Sequence, residues 1–300
     1  MITRVEADGP SDPEPADQGE RIQELGGRLV HWLRQGSGRP PVILIGGCGV
    51  PSSAWTYLLP ALGELEVVRF DRPGLLGTPW PGTLPTLAAE VATLVALIEQ
   101  VDGPVVLVAH SMGGLHAEAL VRTRPDLVRG LVLADASADW PHSRSGRWTR
   151  LSARCWLLLA RLARVGFRLP PVRVLGSAAD RLLVTVQSNR RLLDRRPPIA
   201  WRAYRDGEAV ASVIAEQAAY GQQVRDLADL RERTDFPPIP VVVITAAKAG
   251  GSRDLRRQAR LAALLGGRQI VAPDSRHLLM LDRPDLVSEA VREVAGVAST

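Results

Sequence analysis

Val105-Val-Leu-Val-Ala-His-Ser-Met-Gly-Gly114 decides how this 300-residue chain is read. Its first five residues are apolar without a break, as in a strand buried on both faces. His110 and Ser111 come directly after. Helix-type sequence then runs from Met112 to Arg124, where Pro125 stops it. A strand that turns straight into a helix leaves room only for small side chains two places before and two after the turn residue. Ala109 and Gly113 hold those places, giving the pattern A-x-S-x-G around Ser111. Such a turn lifts a Ser hydroxyl off the sheet and sets it at the positive end of a helix, where a developing oxyanion is favoured. Ser111 is therefore the candidate nucleophile, against the plainer reading of a Ser that caps a helix.

Working outward, Val42–Ile45, Val67–Phe70, Leu131–Leu133, Val241–Ile244 and Gln269–Val271 are further short apolar runs of strand type. Arg28–Arg34 alternates and reads as a half-exposed strand. Leu87, Val91, Leu94, Val95 and Ile98 share one helical face. Helical patterns also cover Leu255–Leu265 and Leu286–Val297. Strands alternating with helices imply a doubly wound, mostly parallel sheet with ligands bound beyond the strands' carboxyl ends. The roughly one hundred residues between the Leu131 and Val241 strands are too many for a connection and read as a helical insertion. The expected layout is a disordered tail over residues 1–19, a sheet domain over 20–136 and 237–300, and a helical lid over 137–236.

Other candidate residues also come just after strands. His277, in Asp274-Ser-Arg-His-Leu278, is the only His in the final 150 residues and lies beyond the last strand, as a general base should. An acid to orient its ring has two candidates. Asp135 directly ends the Leu131 strand and keeps the chain order Ser, Asp, His. Asp254 comes after the Val241 strand only beyond Gly250-Gly251, and reads as a helix N-cap. Asp135 is favoured. Ile45-Gly-Gly-Cys-Gly49 also succeeds a strand, and its glycines let backbone N–H groups face a ligand. The oxyanion donors would be the N–H groups of Cys48 and Met112. The loop is neither G-x-G-x-x-G nor a P-loop, so no nucleotide cofactor is implied. No His/Cys/Asp cluster has metal-ligand spacing. Cys48 as a nucleophile has no His near it in sequence.

Composition sets the outer limits. Hydrophobic residues make up 46% and charged residues 23%, a globular balance. No apolar run approaches the roughly 18 residues needed to span a bilayer. The first twenty residues carry six acids and one Arg, unlike a secretory leader, and two Cys make no disulfide framework. A cytoplasmic location is expected. Of 37 basic residues only Lys248 is a lysine. Charge is uneven: residues 140–205 hold 15 Arg against Asp180 and Asp194, a net of +13, so the rest carries −8 within a total of +5. That imbalance describes one segment and, with no motif behind it, does not imply nucleic-acid binding.

Together these pieces resemble the α/β-hydrolase fold enzymes. The resemblance rests on Leu44–Gly49, Phe70-Asp-Arg-Pro-Gly74, Ala109–Gly114, Leu131–Asp135 and His277-Leu-Leu-Met-Leu-Asp-Arg-Pro284, and covers about residues 28–297. It implies Ser111 as nucleophile, His277 as base, Cys48 and Met112 as oxyanion donors, and the insertion as a lid. Asp71 and Arg72 match a structural turn of the family and are not expected to be catalytic. Two positions depart from the common pattern. Gly46 stands where a His often opens the oxyanion loop, and Ala249 lies where most relatives carry the acid. Asp135 matches the site used by a subset with the acid after the sixth strand, haloalkane dehalogenases among them. Their nucleophile is an Asp, so Ser111 argues against dehalogenation.

The expected activity is hydrolysis of a small, apolar carboxylic ester through an acyl-enzyme. Alternatives are another reaction on the same triad, of perhydrolase or hydroxynitrile lyase type, and a non-catalytic binding protein. In the lid, Trp148–Leu169 reads as an amphipathic helix with a break near Gly166, its apolar residues interleaved with arginines. One reading turns the apolar face onto the active site and leaves the arginines solvated. The other lays the helix on an anionic membrane, a weak peripheral contact.

Overall fold

The computed structural model describes residues 19–139, 147–167 and 207–297, with 169, 184 and 186–189 between them. The expected tail, up to residue 18, and most of the basic stretch lie outside the described residues. The strands are β1 (Glu20–Leu25), β2 (Arg28–Gln35), β3 (Gly38–Ile45), β4 (Leu65–Asp71), β5 (Val105–His110), β6 (Val128–Ala134), β7 (Val241–Ala246) and β8 (Arg268–Ala272). They form one eight-stranded sheet in the order β1-β2-β4-β3-β5-β6-β7-β8. The β1–β2 and β2–β4 pairs are antiparallel, and every later pair is parallel.

The continuous apolar runs sit in the middle of this sheet. All six residues of β5 and all six of β7 are buried, because helices cover both faces. One face packs Ile43, Ile45, Leu107, Leu131 and Val243 under α2 (Leu87–Ile98) and α3 (Gly113–Thr123). The other packs Leu44, Val106, Val132 and Ile244 against α1 (Leu59–Leu62) and α8 (Pro284–Ala295). Each such side chain contributes about 1.5–3 kcal/mol by leaving water. Two elements depart from expectation. β1 carries no strong apolar pattern and is recruited by pairing with β2. β2 is not half exposed: Val30 through Leu33 are all buried, since β1 and β4 flank it and α2 covers it.

Between β6 and β7 the described helices are α4 (Arg147–Gly166) and α5 (Gly207–Arg233). They pack on each other through small residues. Ala160 of α4 meets Ala211 and Ala215 of α5, with Trp80 of the core beside them. A Cβ at Gly207 would sit 2.2 Å from the Arg164 carbonyl oxygen, so the approach requires glycine there. Of the two readings of this helix, the one that turns its apolar face onto the site does not match this packing. Its small residues face inward, while Trp156, Leu158, Leu159, Leu162 and Val165 are exposed. After β7 come α6 (Ser252–Leu264), α7 (Leu279–Asp282) and α8.

Candidate active site

Three strand ends converge. Ser111 succeeds β5 and opens α3, Asp135 succeeds β6, and His277 lies on the loop after β8. Ser111 Oγ is 3.0 Å from His277 Nε2, and His277 Nδ1 is 2.6 Å from Asp135 Oδ2. With Nδ1–H donating to the carboxylate, Nε2 is left as an acceptor for the Ser hydroxyl. The backbone is strained at two of these positions. Ser111 has φ +52° and Asp135 φ +46°, a left-handed region that non-glycine residues seldom occupy. Tight packing holds the Ser111 turn: a Cβ on Gly113 would lie 2.7 Å from the Gly46 carbonyl oxygen. Asp135 is pinned from both ends, its N–H donating to Ile244 O at 2.7 Å and its Oδ1 accepting from Ala246 N at 3.0 Å.

Asp254 is not part of this cluster. It lies in the first turn of α6, half exposed, 3.6 Å from Arg257. It is not the N-cap either. Gly251 holds that place, because the two glycines bring the chain into the helix three residues earlier.

The glycine loop after β3 closes the site from the other side. A Cβ on Gly47 would meet Ser111 Cβ at 2.7 Å and His110 Nδ1 at 2.8 Å, so only glycine allows this approach. Arg72, buried and expected only as a structural turn, holds the loop. Its Nη1 donates to Gly46 O at 2.8 Å and its Nη2 to Gly47 O. A trans peptide directs C=O and N–H to opposite sides. Fixing Gly47 O on Arg72 therefore turns the Cys48 N–H away from Arg72. Neither the Cys48 nor the Met112 N–H donates to a protein group among the described residues. Glu216 of α5 completes the clamp. Its Oε1 accepts from Arg72 Nε at 2.9 Å, and its Oε2 from Gly49 N at 2.8 Å. Burial, then the neighbouring Glu216 charge, pushes the Cys48 thiol far up, so it stays protonated and is no thiolate nucleophile.

Asp71 does match its structural expectation. Fully buried, it accepts from Ser52 N at 2.8 Å and Oγ at 2.7 Å, and lies 2.8 Å from His31 Nδ1. Sequence reading missed two supports. Arg72 and Glu216 lie 144 residues apart, and nothing local pairs them. His110, beside Ser111, is buried and places Nε2 at 3.0 Å from His277 O, tying the base's loop to the elbow. Burial, then the His277 ring, holds His110 well below its ordinary value, so it is neutral and donates through Nε2. Its position within the elbow was the available signal. Among the described residues no group of His, Cys, Asp and Glu could hold a metal ion.

A family model described as the alpha/beta hydrolase family matches residues 29–290. The chain belongs to this family. Among curated proteins, it is 38% identical to the lipase LipV of Mycobacterium tuberculosis over 117 residues, 38% of this chain and 44% of that one. It is 32% identical over 130 residues to the (E)-2-((N-methylformamido)methylene)succinate hydrolase of Acinetobacter baylyi, 41% of this chain and 47% of that one. The matches thus span less than half the length of these curated relatives. Among solved structures, Cfl2 of Burkholderia cenocepacia aligns with a TM-score of 0.72 at 18% identity, covering 94% of this chain and 97% of that one. The carbazole-degradation serine hydrolase CarC aligns at 0.68 and 19%, covering 93% and 98%. At such identities these neighbours speak for the α/β-hydrolase fold alone.

Proposed function

We propose that this chain is a serine hydrolase that cleaves an apolar carboxylic ester through an acyl-enzyme. The observation that carries the reading is the Ser111–His277–Asp135 chain of hydrogen bonds, 3.0 Å and 2.6 Å, at three strand ends. Ser111 Oγ attacks the ester carbonyl while His277 Nε2 takes its proton. Asp135 keeps Nδ1 protonated and stabilises the imidazolium that forms. The carbonyl oxygen gains charge and is met by the Cys48 and Met112 N–H groups, donors already fixed in place before reaction. His277 returns the proton to the leaving alkoxide, then activates a water that releases the acid.

The apolar preference rests on the residues around the loop. Met112, Leu115, Val224 and Leu227 cluster with Cys48 and Tyr220, between α3 and α5. An alkyl group set against this apolar cluster would leave water, whereas a charged one would be desolvated without a partner. The names lipase and esterase among the relatives favour the same chemistry. A fluorophosphonate probe should label the protein and fail on Ser111→Ala. p-Nitrophenyl butyrate should turn over faster than the acetate. A protein that neither takes the label nor hydrolyses any of these esters would overturn the reading.

A further inference from the structure

Helix α4 presents to solvent what most surface helices bury. Leu158, Leu162 and Val165 recur at the four- and three-residue steps of one helical row. Their exposures are 58%, 60% and 57%, and Leu159, beside them, is 47% exposed. The opposite side of the helix is occupied: Leu157 and Ala160 pack on α5 and Trp80. The leucine row is thus not the core-facing side of an ordinary amphipathic helix. It is a second apolar face.

Charge accompanies it. Arg154 and Arg161 are spaced by seven residues, two helical turns, and so fall in one row along the helix. Leu158, Leu162 and Val165 lie four, eight and eleven residues beyond Arg154, which places the arginine row along one flank of the apolar row. Arg154 and Arg161 are exposed. The helix carries five arginines and no acid across its 20 residues. An exposed apolar row flanked by cations matches an interface that is hydrocarbon in its depth and anionic at its surface. A second copy of the chain fits less well, because a two-fold contact between these faces would set arginines against arginines. Crossing the bilayer does not fit: no described helix is long and apolar enough to cross a membrane.

We infer that α4 docks this protein on anionic lipid, lying in the plane of the interface with its leucine row in the acyl boundary and its arginines among the headgroups. The contact is peripheral and reversible, and salt weakens it. It requires no ester hydrolysis, so Ser111→Ala should bind lipid as the unaltered chain does.

The experiment is flotation with vesicles of phosphatidylcholine plus phosphatidylglycerol, beside vesicles of phosphatidylcholine alone, on the full chain and on Ser111→Ala. Binding is expected on the anionic vesicles, with a loss of about tenfold or more in Leu158→Glu/Leu162→Glu. Arg154→Glu/Arg161→Glu should weaken binding and flatten its salt dependence. A polarity-sensitive fluorophore on the exposed Cys155 should shift to the blue on binding. All four substitutions are on exposed positions, and circular dichroism checks their folding. The inference is overturned if the folded protein does not float with anionic vesicles, or floats equally well with the leucine pair replaced. It is also overturned if that pair instead turns a dimer into a monomer on size exclusion without lipid binding.

Discussion

Helices α4 and α5 come from the same insertion and pack on each other, yet they are held to different degrees. α5 is bound into the core by polar side chains. Glu216 meets Arg72, Gln223 lies 2.7 Å from His116, and Arg231 grips Glu118 with Nε at 2.8 Å. Ser212 donates to Pro73 O. α4 rests on α5 through Leu157, Ala160 and one ion pair, Arg164 with Glu208, and turns Arg154, Arg161 and most of its leucines outward. The two helices therefore belong to different parts of the molecule. α5 walls the candidate site, and its buried Glu216 reaches Arg72 and the glycine loop after β3. α4 is an outer surface carried on that wall. A cap described as one unit would miss this division.

The largest expected effect sets the scale and involves neither helix. Asp135→Asn should cut ester turnover by about 10⁴-fold, since the neutral amide no longer fixes the His277 tautomer. Turnover surviving that change, and lost instead in Asp254→Asn, would move the acid to α6. Changes on the two helices come next in size. Removing both buried charges in Arg72→Met/Glu216→Met leaves no unpaired charge, so the fold should persist. The Gly47–Cys48 peptide loses its anchor, and kcat should fall by about 10²–10³-fold with KM little changed. Leu162→Glu on α4 should leave kcat within about twofold. Equal effects from the two helices would erase the distinction drawn between them.

A smaller effect should appear in stability against pH. His116 of α3, against Gln223 of α5, is held at about 4 by burial. The unfolded chain takes up that proton first, near pH 6.5. Stability should therefore fall as pH drops from about 6.5 to about 4 and level off below, a change of about 3 kcal/mol from this group. Urea unfolding at stepped pH measures it, and His116→Gln should flatten the slope. An unchanged slope would mean that burial does not hold His116 neutral in the folded chain.

The parallel sheet was legible because its central strands are continuous apolar runs, as strands covered on both faces are, whereas the order of its strands came from the structure. Ser111, Asp135 and His277 were legible because each lies just beyond a strand, and parallel strands deliver their carboxyl-end loops to one edge of the sheet. β1 was not legible, since an antiparallel edge strand is held by backbone pairing and needs little apolar sequence. Arg72 was visible as part of a turn but not as a clamp. Its partners are a loop 25 residues earlier and a helix 144 residues later.

Local pattern alone thus gave the central strands, the longer helices, the parallel arrangement and the three candidate residues at the strand ends. Local periodicity and steric demand at a tight turn are properties of a few adjacent residues. What surrounds them came from the packing of distant segments: that Asp135 and not Asp254 reaches His277, that Glu216 of α5 stands behind the glycine loop after β3, and that Leu158, Leu159 and Leu162 of α4 face outward. Those depend on which surfaces meet, and the same amphipathic pattern fits an inward or an outward turn. Here the small residues of α4 and α5 allowed the closer approach, and the leucines were left outside.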